Sequence, residues 1–202
     1  MSDQRPYATL LAKGEERRAR ILGVAQRLLA RNGWRGTTLG QIAKAAGVSP
    51  AGLLHHFASK EQLLHAVLDA RDAHDQLVAD PDGDPVAQLE QVAEKYRRAP
   101  EQIGTLTLLL LEALDPDAPL HDRLLGRYRD AVQIITSGIR RGQRAGRYRA
   151  DVDAAVLAVE IVAFFNGMES SWLLDPSIPV DDVFREYARS VAGRLAHPAD
   201  PT

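Results

Sequence analysis

A chain of 202 residues with 45% apolar side chains can bury a real core, and the absence of cysteine excludes disulfides, thiolate metal sites and a cysteine nucleophile. The net charge of −2 hides an asymmetry: residues 1–60 carry ten Lys and Arg against three Asp and Glu, the remainder fifteen against twenty-four. A basic head on an acidic body is what nucleic-acid binding by one domain requires, because the cations that displace condensed counterions must sit at the interface.

Residues 1–13 read as a polar arm carrying Arg5 and Lys13. A helix is expected from Gly14 to Asn32, with Ile21, Ala25, Leu28 and Leu29 inward and Arg17, Arg20, Arg27 and Arg31 outward. Gly33 ends it, and Trp34 should pack beneath it. Thr38 followed three residues later by Gln41 is a capping-box signature, in which each side chain covers a backbone N–H left open at a helix start. Leu39, Ile42, Ala43 and Ala46 then fall at i, i+3, i+4 and i+7, one apolar face of two turns. Gly47 suits the left-handed residue after such a helix. Ser49 is the next cap, with Pro50 at the first helical position. Leu53, Leu54 and Phe57 are expected on the inward side of this third helix. Ser59 with Gln62 opens a fourth, reaching Asp80 with Leu63, Val67, Ala70, His74 and Leu77 along one face.

Asp80 to Pro85 is dense in helix breakers and reads as a loop. Helix five is expected over Val86–Arg98 and helix six over Glu101–Leu114. A long helix follows, stepping through Leu124, Tyr128, Val132, Ile135 and Ile139 before Gly142 and Gly146. Helix eight starts at Asp151, and helix nine covers Val180–Leu195. No segment alternates with period two. The reading is all-α, about nine helices: a small N-terminal three-helix domain at 1–58 and a larger C-terminal helical domain at 59–202. The longest apolar run, LTLLLLEAL, is short of a membrane span and no signal-peptide core is present, so a cytoplasmic protein without a membrane partner is expected.

Three helix starts and two sharp turns within about 25 residues match the helix-turn-helix layout that places a second helix in the DNA major groove. The run TTLGQIAKAAGVSPAGLLHHFASKEQLL resembles the DNA-binding segment of the TetR family of bacterial transcription regulators. The resemblance rests on Thr38, Ile42, Ala43, Ala46, Gly47, Val48, Ser49, Leu53, His56, Phe57, Ser59, Lys60 and Leu63. Ala51 stands where the family often has Gly, and Leu54 where it usually has Tyr.

Pro50, Ala51, Gly52 and His55 are the outward positions of the third helix, with His56 at its end. The helix has no Arg, Lys, Asn or Gln, the side chains that pair bidentately with guanine or adenine. Base readout is therefore expected from apolar contact with thymine methyls, from His55, from shape and from Gln41 of the helix before. Thr38 and Ser49 offer hydroxyls and open helix starts to phosphates. The resemblance implies phosphate contacts from His56 and Lys60.

In the body, aromatic and polar groups interrupt apolar helices: His74, Tyr96, Glu112, Tyr128, Phe164, Phe165, Asn166, Met168 and Trp172. They are compatible with an apolar pocket bearing a few polar groups, the usual form of a small-molecule site. The resemblance implies an effector pocket enclosed by helices four to eight. Phe165, Met168 and Trp172 share one face and line either that pocket or a dimer seam. Helices eight and nine carry more apolar surface than one body covers, so Val183, Phe184, Tyr187 and Val191 are expected in a homodimer interface, as in the family.

The function expected is a homodimeric regulator, most readily a repressor, that binds a palindromic double-stranded operator and is released by a small-molecule effector. The alternative is a DNA-binding dimer whose body takes no effector. A third reading, a metal-dependent enzyme, would rest on His65, Asp69 and Asp72 at i, i+4 and i+7. No P-loop, H-E-x-x-H, G-x-S-x-G or nucleotide fingerprint is present, so neither an enzyme nor a cofactor is expected.

Overall fold

The computed structural model describes residues 5–78, 83–89, 91 and 100–197, with side chains described over 12–72, 83–89, 91 and 106–197. Its helices are α1 (Arg5–Asn32), α2 (Leu39–Ala46), α3 (Pro50–His56), α4 (Lys60–Val78), α5 (85–89), α6 (Pro100–Glu112), α7 (His121–Arg144), α8 (Ala154–Leu174) and α9 (Val180–Leu195). No strand occurs among the described residues.

The arm expected over 1–13 is helical from Arg5 onward, as part of a 28-residue α1. Pro6 sits in the first turn, where a missing N–H costs nothing, and an interior Gly14 costs only about 1 kcal/mol against the Ala, Leu and Lys around it. Helix six ends at Glu112, two residues early. Helix eight starts late, because Asp153 rather than Asp151 is its cap and accepts from the N–H groups of Ala155 and Val156 at 2.9 and 3.2 Å.

One hydrophobic cluster joins the head to the body. It takes Ile21, Val24, Ala25 and Leu29 from α1, Ile42, Ala43 and Ala46 from α2, and Leu53 and Phe57 from α3 and its cap. It continues without a break into Leu63, Leu64, Val67 and Leu68 of α4, Leu109 and Ala113 around the end of α6, and Leu120 and Leu124 at the start of α7. A second cluster gathers Leu89, Ile139, Leu157, Ile161, Ala188, Val191 and Leu195 from α5, α7, α8 and α9. A third sits where α8 meets the start of α9, around Val180 and Phe184.

This packing overturns part of the expected interface. Phe184 is 0% exposed and Val191 1%, both buried inside their own chain. The Phe184 ring meets Phe164 edge-on at 5.4 Å and Phe165 at 5.5 Å, and Tyr187 stacks on Phe164 at 3.6 Å. Val183 and Tyr187 are half-buried. The apolar surplus lies instead on α8, where Val156, Val159 and Leu174 are 54%, 43% and 89% exposed. By length and composition α8 could cross a membrane, which the run-length argument missed because Glu160, Asn166 and Glu169 interrupt it.

The acidic face once open to a metal is occupied. The Arg123 guanidinium donates to the His65 carbonyl at 3.0 Å, to Asp69 at 2.8 Å and to Asp72 at 3.1 Å, and Arg127 pairs with Asp72 as well. A guanidinium at hydrogen-bond distance from both carboxylates stands where the cation would have to go.

Candidate nucleic-acid interface

The head is built from caps. Gly33, at φ +66°, closes α1, its N–H donating to the Leu29 carbonyl at 2.9 Å. Thr37 is fully buried and its hydroxyl donates to the Gly33 carbonyl at 2.7 Å, which fixes the turn into α2. At Thr38 the capping box is complete: the Gln41 N–H donates to Oγ1 at 3.2 Å, and the Thr38 N–H donates to Gln41 Oε1 at 2.8 Å. Gly47, at φ +67° and ψ +36°, ends α2 in the left-handed region that side chains with a Cβ rarely enter. Ser49 accepts the Gly52 N–H at 3.0 Å and starts α3, with Pro50 at its first position. At the next start, Ser59 accepts from the Gln62 N–H at 3.0 Å.

These caps present one solvent-facing side. Thr38, Gln41, Ser49, Pro50, Ala51 and His55 are exposed, and Gly52 and His56 are half-buried. Two residues belong beside them that the pattern did not single out. Lys44 is exposed three residues after Gln41 and so shares its face. Leu54, expected inward, is 47% exposed, because a seven-residue helix can centre only one of two consecutive leucines on its buried side, and Leu53 at 0% holds that place. The His55 and His56 rings lie 5.6 Å apart. His56 is held below the usual imidazole range, first by desolvation, then by His55 and by Arg17 and Arg18 of α1.

Lys60 is committed inside the chain. Its ammonium donates to the Trp34 carbonyl and lies 3.9 Å from the centre of the Trp34 ring. Desolvation lowers its pKa, and Glu112 opposes that shift. Glu112, expected in a body pocket, instead accepts from the backbone N–H groups of Trp34 and of Arg35, the latter at 3.1 Å. Trp34 is thus held from α4 by Lys60 and from α6 by Glu112. A cleft of about 530 Å³ opens beside this clasp, lined by Arg31, Asn32, Gly33 and Arg35 on the head and by Leu108, Leu111, Glu112 and Asp115 on the body.

The remaining body candidates are dispersed. Phe165, Met168 and Trp172 pack half-buried against Val180 and Phe184, and Asn166 is half-buried with its carbonyl accepting the Ser170 hydroxyl. Tyr128 is half-buried on α7. Tyr96 and the His74 side chain lie outside the described residues. The polar groups that the body does bury together are others: Thr107, 6% exposed, donates to Glu169 at 3.0 Å, and Arg71 is 6% exposed. Arg127 has its pKa lowered by desolvation and then by Arg71, while Glu169 raises it.

A sequence model of the bacterial regulatory proteins of the tetR family matches residues 21–67, and one of the tetracyclin repressor-like C-terminal domain matches residues 85–187. The second alone spans just over half of the chain. The chain belongs to the TetR family. Among its relatives, the transcriptional regulator TtgR of Pseudomonas putida is 27% identical over 178 residues, covering 81% of this chain and 83% of that protein. The transcriptional repressor KstR2 of Rhodococcus jostii is 28% identical over 195 residues, covering 90% and 92%. A TetR regulator from Chloroflexus aurantiacus superposes with a TM-score of 0.75 at 24% identity, over 91% of this chain and 98% of the other. NalD, a repressor of an efflux pump in Pseudomonas aeruginosa, does so with 0.74 at 20% identity, over 93% and 100%. At that identity the superpositions speak for the fold. The family assignment makes the chain one of the DNA-binding transcription regulators, and α2–α3 is its helix-turn-helix.

Proposed function

We propose that this TetR-family chain is a homodimeric repressor that binds a palindromic operator through paired α2–α3 units and releases it when a small molecule enters the body. The observation that carries the DNA half is the exposed side of α3 with its caps, set in a head of ten cations against three anions. Half-sites are then expected about 34–36 Å apart, or at a multiple of that. Selection of duplexes from a random library by the purified chain tests this reading, and enrichment of no inverted repeat would end it. Affinity for the selected duplex should fall about 10³- to 10⁵-fold between 50 and 200 mM salt if six to ten phosphates are contacted. A binding isotherm insensitive to salt would remove the phosphate contacts.

The stripe on α8 supports the dimer. Val156, Val159, Ala163, Gly167, Ser170 and Leu174 follow one another at three- and four-residue steps, and all are exposed. Small residues among apolar ones let a second helix approach closely, and a soluble chain covers such a stripe with its own copy. Val159→Glu should therefore leave a folded chain that sediments at half the wild-type mass and binds operator more weakly. Sedimentation of the wild type as a monomer at micromolar concentration would contradict the dimer.

The polar group buried between α4, α6, α7 and α8 supports the effector. An apolar body bearing a few polar groups is the usual form of a small-molecule site. An effector entering there bears on α4, whose first residue, Lys60, holds Trp34 of the head. It can weaken DNA binding only by as much as it prefers the non-binding arrangement. Operator release by a small molecule separates this reading from a dimer whose body takes no effector.

A further inference from the structure

We propose that Leu54 is a specificity-determining residue, packing its side chain against the C5-methyl of a thymine in each operator half-site. The inference rests on the operator reading above and goes beyond it by naming one residue and one chemical group. A single exposed leucine is ordinary on a protein surface. This one stands on the helix that the capping residues Ser49 and Pro50 aim outward, in a head whose excess of positive charge suits a polyanion. Ala51, at i−3, lies on the same side and is exposed, and His55, the next residue, is exposed on the adjoining side about 100° around the helix. Among the exposed residues of α3, His55 is the one whose side chain can hydrogen-bond.

A leucine can donate nothing to a phosphate and pair with no polar base edge. Its only favourable contact in the major groove is apolar, and the thymine methyl is the one apolar group that base pairs display there. The small Ala51 beside it leaves room for the base edge to come close. Leu53, by contrast, is 0% exposed and supports the helix from inside, so the two adjacent leucines divide the work of holding the helix and reading the groove.

The test uses the full chain and the duplex it selects from a random library. Each thymine of a half-site is replaced in turn by deoxyuridine, which differs only in lacking the methyl, and affinity is measured for wild type, Leu54→Ala and Leu54→Met. One thymine per half-site should cost the wild type about fourfold when demethylated, the worth of one buried carbon-sized apolar group. Leu54→Ala should bind the thymine duplex more weakly and lose the distinction between thymine and uracil there, while Leu54→Met should keep it. Sensitivity to uracil that survives unchanged in Leu54→Ala assigns the methyl to another residue and overturns the proposal, as does a wild type indifferent at every thymine. A library that yields no enriched duplex brings down the operator reading first, and this proposal with it.

Discussion

Phe184→Glu is expected to unfold the chain, not to yield a folded monomer. The ring is 0% exposed and touches Phe164 and Phe165. Truncating a buried phenylalanine typically costs about 3–5 kcal/mol, and an unpaired carboxylate in the same place adds its own desolvation. Against a total stability of about 5–15 kcal/mol, the sum leaves little or no folded protein. Circular dichroism during urea titration should show no cooperative transition, or the protein should be recovered only as aggregate. A soluble, fully helical Phe184→Glu would mean that α9 docks loosely and that the third cluster is not a core. The contrast with Val159→Glu, on the exposed stripe, separates loss of the interface from loss of the fold.

The caps were the most legible part of the chain. Thr38 with Gln41, Gly47, Ser49 with Pro50 and Ser59 with Gln62 are local devices, each closing a helix end within four residues, so their chemistry can be read without knowing what lies across the molecule. Leu54 and Phe184 were not legible in the same way. Apolar periodicity says that a residue is buried against something, but not whether the cover comes from its own chain or another copy. On a helix as short as α3, two neighbouring leucines are also too few to fix the inward direction. Glu112 shows a different limit. A carboxylate in an apolar helix suggested a ligand, but its partners are backbone N–H groups 78 and 77 residues earlier in the chain, at a turn that side-chain patterns do not reveal.

That carboxylate carries the second large effect. Glu112→Ala is expected to lower stability by about 1–3 kcal/mol, because the partly buried Trp34 N–H loses its acceptor while the exposed Arg35 N–H can turn to water. Glu112→Gln keeps one carbonyl acceptor and should lose less. Urea unfolding followed by tryptophan fluorescence measures both, and an unchanged midpoint for Glu112→Ala would show the clasp to be ornamental. Gly33→Ala should act in the same direction, since φ +66° is unfavourable for alanine and a Cβ there would stand 2.7 Å from Glu112 Oε1. Each of these changes should also weaken DNA binding, because the turn they loosen carries α2 and α3.

The unbroken cluster from α1 to Leu124 bears on how regulators of this kind could be recombined. A chimera joined after residue 58 would carry Trp34 with the transplanted head and take Lys60, Leu63, Leu64, Leu109 and Glu112 from the recipient, splitting one packed interior between two ancestries. Such hybrids would keep their reading specificity only where the recipient offers matching volumes along α4 and α6 and an acceptor for the Trp34 N–H. The natural joint for exchange lies farther along, after Leu68, with the end of α6 transferred as a second insert. A head of this construction travels with its socket.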